Sequence, residues 1–164
     1  MKILITGGKS ALALKLLKGF SQQQVVLADY GEMPNFSSAT YSFLSLGEKN
    51  EDAIAHNLLN YCLNESIDVV LPLHAFEILP VAKAKVLFNE FNIDLLLPDA
   101  EGLNAYLQQQ PEFRGAEWVV FRTGKVLFSS IANSKLFTTV NSENLSGAFY
   151  FNHLTVANLS LITI

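Results

Sequence analysis

Three groups of residues in this chain are of the right types and spacing to do chemistry. Gly7-Gly8-Lys9-Ser10 follows a short apolar run, Lys2 to Thr6, and precedes a leucine-rich stretch. A glycine turn between strand and helix offers backbone N–H groups at the positive end of the helix, which suits an anion. Asp29 ends the next apolar run, about twenty residues on, where an acid can contact a ribose hydroxyl. Pro72, His74 and Glu77 follow a third run, VVLPL. A partly exposed His beside an acid can bind a substrate or move protons. Each group also has a plainer reading: a tight turn capped by Ser10, and a loop His74 that caps the helix after it.

The glycine turn departs from the known phosphate-binding templates. From Thr6 the sequence T-G-G-K-S-A-L-A puts Ser10 and Ala13 where a dinucleotide fingerprint has its second and third glycines. Alanine is tolerable at the third position, whereas serine at the second narrows the approach of a pyrophosphate. Gly8-Lys9-Ser10 matches the end of a P-loop, but Ile3 stands where its first glycine is needed. None of the five tyrosines has a lysine four residues later, so the proton-transfer pair of short-chain dehydrogenases is missing. No serine lies in a G-x-S-x-G elbow. The three histidines, His56, His74 and His153, show no metal-ligand spacing, and no metal is expected.

Alternating elements would position these groups. A strand over Lys2 to Thr6 leads to a helix with Leu12, Leu16 and Phe20 on one face, then to a strand over Val25 to Asp29. A short strand near Tyr41 to Leu46 follows a polar turn. Asn50 can cap a helix running to about Asn64, with Ile54, Leu58, Tyr61 and Cys62 facing inward. The strand opened by Asp68 ends at Pro72. The next helix is expected to kink or break near Pro80 and to end around Phe91. Ile93 to Leu97 forms another strand, closed by Pro98. Continuous apolar strands between helices mean a parallel sheet covered on both faces. Both prolines stand at strand carboxyl ends, where such sheets place a ligand crevice. After Pro111 the pattern changes to short β-rich runs: WVVF, KVLFSS, KLFTTV, GAFYF and LTVANLSLITI. Trp118, Phe121, Phe128, Phe137, Phe149 and Phe151 crowd this part, as the core of a small β unit or as an oligomer interface.

The expected fold class is therefore α/β, a Rossmann-like three-layer parallel sheet over residues 1–110 with a β-rich C-terminal extension over 111–164. The bulk numbers agree with this. The chain has 164 residues, half of them hydrophobic and only 16% charged, with a net charge of −4. That length can bury a sizeable core, and the sparse charge favours self-association. Without a cationic cluster, nucleic acid and anionic membrane surfaces are not expected partners. Cys62 is the one cysteine, which excludes an intramolecular disulfide. No leader pattern or spanning run is evident, which points to a cytoplasmic protein.

The series ILITGG, VVLADY, FSSATYSFLSL, IDVVLPLHAFEILPVA and IDLLLPDAEGL resembles the pre-ATP-grasp domain. That domain stands at the N-terminus of the carbamoyl-phosphate synthase large subunit and related ATP-grasp ligases. Ser37-Ser38-Ala39 with Tyr41 to Leu46 is similar to the family's small-residue segment and short strand. Asp68-Val69-Val70-Leu71-Pro72, with Glu77 after it, is similar to its D-x-x-(I/V)-P-x-x-x-E run. GAEWVVFRTGKVLFSS resembles the family's strand-turn-strand with a Gly-Lys turn, so residues 111–164 read as a reduced ATP-grasp remnant or an oligomerisation element. Tyr106 to Pro111 lacks the Asp-Lys pair that leads into the family's ATP-grasp module, and the magnesium-holding Glu and Asn have no counterpart. The resemblance implies a non-catalytic or partner-dependent binding protein, not a ligase acting alone. Its ligand would be a small anionic metabolite or nucleotide, held by Gly7, Gly8, Lys9, Ser10 and Asp29 and by Pro72, His74 and Glu77. The alternative is a divergent NAD(P)-binding protein of the epimerase/reductase type, with Asp29 favouring NAD. A third reading is an interaction subunit that docks a separately encoded ATP-grasp chain or a second copy of itself.

Overall fold

A computed structural model describes residues 1–107, 117–131, 144–151 and 158–164. The chain forms two compact units: Met1–Leu95 with Thr163–Ile164, and Leu96–Ile162.

The first unit is a five-stranded, all-parallel sheet flanked by helices. Its elements are β1 (Lys2–Ile5), α1 (Ala11–Leu17), β2 (Gln24–Asp29), β3 (Tyr41–Ser45), α2 (Ile54–Asn64), β4 (Val69–Leu71), α3 (Ala75–Lys83), α4 (Lys85–Glu90) and β5 (Asp94–Leu95). Strand order is β3-β2-β1-β4-β5. The register is uninterrupted, with Ile3 opposite Val25 on one side and Val69 on the other. Ile3, Leu4, Ile5, Val69 and Val70 have no exposed surface, as continuous apolar strands covered on both faces require. From β1 the chain steps outward to β2 and β3, then returns to the other side of β1 to lay down β4. Right-handed crossovers therefore put α1 on the face opposite α2 and α3. The carboxyl ends of β1 and β4 become the topological switch point, where open α/β sheets form their crevice.

Local chemistry sets the boundaries of these elements. Ser10 caps α1 by accepting from the Ala13 amide at 3.1 Å. Asn50 accepts from the Asp52 amide and starts the turn that leads into α2. Cys62 is fully buried on α2, and that burial pushes its thiol up to about 12. Two expectations need correction. Pro80 lies inside α3 without ending it, because a proline forfeits one amide bond while later residues keep theirs. The break comes at Ala84 (φ −89°, ψ 6°), whose amide is shared between the Pro80 and Val81 carbonyls. The strand expected over Ile93 to Leu97 pairs only at Asp94–Leu95, although Leu96 and Leu97 are buried.

Antiparallel strands build the second unit: β6 (Glu117–Arg122), β7 (Lys125–Ser129), β8 (Gly147–Phe151) and β9 (Ser160–Leu161), in the order β7-β6-β8-β9. The β6–β7 hairpin turns on Thr123 (φ 46°) and Gly124 (φ 74°), the left-handed pair that matches strand twist. Trp118, Phe121, Phe149 and Phe151 are buried. Trp118 stacks on Phe128 with centroids 4.5 Å apart. The expected strand KLFTTV and Phe137 and His153 lie outside the described residues. Among the described residues, no helix is long and apolar enough to cross a membrane.

The two turn glycines do different jobs. Gly7 holds φ +68°, in the left-handed region. Gly8 lies against β2, where a Cβ would fall 2.7 Å from the Leu27 carbonyl carbon and 2.9 Å from the Ala28 nitrogen. Because those neighbours are backbone, Gly8→Ala should destabilise the protein by about 1–3 kcal/mol. Gly102→Ala, whose Cβ would meet nothing nearer than 3.9 Å, should change stability by less than about 1 kcal/mol. Urea unfolding of both variants checks this, and equal midpoints would refute the close approach.

Candidate functional site

The carboxyl ends of β1, β2 and β4 gather most of the residues singled out in the sequence. Thr6 and Gly7 leave β1, Asp29 and Tyr30 leave β2, and Pro72 to His74 leave β4 into α3. Their side chains form two linked hydrogen-bonded groups, each built on a carboxylate.

Glu77, on the first turn of α3, has no exposed surface. The Leu73 amide donates to Thr6 Oγ1 at 2.8 Å, so the Thr6 hydroxyl must direct its own proton to Glu77 Oε2, 2.5 Å away. The Tyr30 hydroxyl meets Glu77 Oε1 at 2.7 Å. Burial pushes the Glu77 carboxyl above its ordinary range. The Thr6 and Tyr30 hydrogen bonds and the charge of His74 pull it back in part, and Asp29 adds to the rise. Burial, with Glu77 and Asp29 close by, also drives the Tyr30 phenol far up. A proton gained at Oε1 would reverse the bond to Tyr30. Glu77 would then donate to Tyr30, and the Tyr30 hydrogen would be free for another acceptor.

Asp29 is 6% exposed. Its Oδ2 accepts from the Lys9 amide at 3.1 Å, and its Oδ1 accepts from the Tyr30 amide at 2.8 Å and contacts His74 Nε2 at 2.9 Å. Burial would raise its pKa, but the Lys9 amide, His74 and the Tyr30 amide outweigh it and hold Asp29 below the usual carboxylate range. Lys9 Nζ donates to the Tyr30 carbonyl at 2.6 Å. His74 stacks on Phe76 with centroids 4.9 Å apart, and Tyr30 tilts against both rings.

These contacts decide several sequence readings. Ser10 is the cap of α1. His74 occupies the cap position of α3 but makes no side-chain cap bond; its ring goes to Asp29 instead. The amides considered for an anion already have acceptors: Gly8 on the Ala28 carbonyl, Lys9 on Asp29, and Ser10 on the Gly7 carbonyl. The turn already holds the carboxylate of Asp29. Pro72 is buried just past the end of β4 and lends no polar group. Thr6, Tyr30 and Phe76 were missed, although each adjoins a residue that was singled out. Among the described residues, no group of three His, Cys, Asp or Glu could hold a metal ion. An open depression of about 630 Å³ lined by Lys2, Gln24, Glu65 and Asp68 lies at the amino ends of β1 and β2, the edge away from this cluster.

No protein-family model matches the chain, and no curated protein matches it in sequence. Among solved structures it is similar to part of the K. lactis urea amidolyase, with a TM-score of 0.50 and 10% identity. The likeness is one of fold. It covers 99% of this chain but only 13% of the amidolyase chain, so this chain spans a small part of that protein's length.

The two carboxylates give opposite pH dependences. Asp29, with its pKa lowered, contributes stability that is present above about 3.8 and is lost as pH falls through its folded value. Glu77, with its pKa raised, contributes stability that is full below about 4.5 and is lost as pH rises through its folded value. Glu77→Gln keeps an acceptor for Thr6 and gives Tyr30 a permanent donor. Relative to wild type it should gain about 1–2 kcal/mol between pH 4.5 and pH 8, the scale of one buried hydrogen-bonded group changing charge. Denaturant unfolding at both pH values checks this; parallel pH profiles for the two proteins would sink it.

Proposed function

We propose that this chain is a binding protein, non-catalytic or dependent on a partner, that takes a small ligand such as a nucleotide at the carboxyl ends of β1, β2 and β4. The observation that carries the reading is the switch point itself. Open parallel sheets bind ligands where strand order reverses, as it does between β1 and β4, and Gly7, Tyr30, His74 and Phe76 lie at that edge beside buried Asp29 and Glu77. The similarity of ILITGG through IDLLLPDAEGL to a pre-ATP-grasp domain supports it, as does the fold shared with part of the urea amidolyase. Neither specifies the ligand.

The engaged state of Asp29 shapes the reading. A ribose reaching Asp29 would have to displace the Lys9 amide or His74, so the seat we favour lies between β1 and β4. There the His74–Phe76 stack offers a flat apolar wall and Tyr30 a hydroxyl. The companion of such a module would be a separately encoded ATP-grasp chain or a second copy of this one, and its compartment the cytoplasm.

Thermal-shift measurements with ATP, ADP, NAD and NADP test the proposal. A ligand at a hundred times its Kd adds about 2.7 kcal/mol, which in a chain of this size raises Tm by roughly 5–11 °C. His74→Ala should abolish most of that rise while leaving the protein folded by circular dichroism. No rise with any of the four nucleotides would overturn the nucleotide reading.

A further inference from the structure

The switch-point crevice already has an occupant. Thr163 and Ile164 belong to the first unit, and Ile164 lies across the ends of β1 and β4. Its amide donates to the Leu73 carbonyl at 2.8 Å, and its carbonyl oxygen accepts from the Ala75 amide at 3.0 Å. That is a parallel bridge, with Ile164 set beside His74 as an added strand residue would be. Its side chain reaches over Gly7, where a Cβ would collide with Ile164 Cδ1 and would also approach Leu73 Cβ at 3.6 Å. We propose that segment 163–164 is an autoinhibitory strap that fills the ligand seat, so that ligand binding requires its release. This inference rests on the binding function proposed above.

Three observations make the strap releasable. Ile164 is 41% exposed, so part of its side chain is in water before it lifts. Two backbone hydrogen bonds tie it to the exit of β4, against the ladder that joins β1 and β4. Glycine at position 7 leaves open the volume that Ile164 now takes. Ala75 is the first residue of α3, so its amide has no acceptor within its own helix. Once the strap lifts, the Ala75 N–H and the Leu73 C=O are left without partners. A replacing ligand therefore has to bring an acceptor oxygen for the first and a donor for the second, together with bulk above Gly7. A ligand carrying both groups at one end fits this requirement.

Ile164→Gly and Ile164→Ala keep the backbone but loosen the side-chain hold. ADP and NAD binding to both variants and to wild type, by calorimetry, is the direct test. We expect at least tenfold tighter binding of one of these probes to Ile164→Gly, with a smaller gain for Ile164→Ala. Amide hydrogen exchange gives a ligand-free readout. Ala75 should exchange faster than Val70 and Leu71 in wild type, and at least tenfold faster again in Ile164→Gly, with Val70 and Leu71 unchanged. Equal affinity in wild type and variants would overturn the strap while leaving the binding function standing. Binding to none of the three proteins would overturn both. An Ala75 amide as protected as those of β4 would overturn the strap alone, because it would show the segment to be a fixed part of the sheet.

Discussion

A carboxylate without exposed surface governs the carboxyl edge of the parallel sheet. Placing Glu77 behind the ends of β1 and β4 removes a charge or a proton-bearing acid from water, at a cost of several kcal/mol unless its oxygens are satisfied. Thr6, fixed in turn by the Leu73 amide, and Tyr30 satisfy them. Thr6 joins the exit of β1 to α3, Tyr30 joins the exit of β2 to α3, and the Leu73 amide joins the exit of β4 to Thr6. The desolvation cost that makes the acid expensive also makes the network exacting. Loss of any one partner leaves a buried polar atom unpaired, so the four residues hold one another in place.

Asp29 does the same for the glycine turn. In phosphate-binding turns the amides are kept for a ligand. Here Gly8 must lie against β2, and that close approach brings the Lys9 amide within reach of the Asp29 carboxylate. His74 closes the arrangement from β4, so the turn, β2 and α3 are linked through one acidic side chain. The result is a turn that carries its own anion.

Much of this was legible in the sequence, and the reasons are local. Continuous apolar runs such as ILIT and VVLAD identify buried parallel strands, and Ser10 and Asn50 show where helices can start. Asp29, His74 and Glu77 could be placed at one edge because each follows a strand end. What the residues did with one another was not legible. Glu77 meets Thr6 across 71 residues of sequence and Tyr30 across 47, and no periodicity encodes such pairs. The helix break at Ala84 was hidden by the more conspicuous Pro80. The seat of Ile164 beside His74 could not be read either, since an apolar LITI run specifies a strand without naming its neighbour.

The protonation behaviour of the edge follows first from burial. A nucleophile needs a lowered pKa or an adjacent base, and the groups at this edge run the other way. Burial raises the Tyr30 phenol and the Glu77 carboxyl, so both hold their protons more tightly than in water. The Cys62 thiol, pushed up to about 12 within α2, is a core side chain. Asp29 is the one group that gives up its proton readily, and its oxygens are already committed to two amides and His74. Such a set is organised to donate and accept hydrogen bonds in fixed directions, with one proton shared between Glu77 and Tyr30 as its adjustable element.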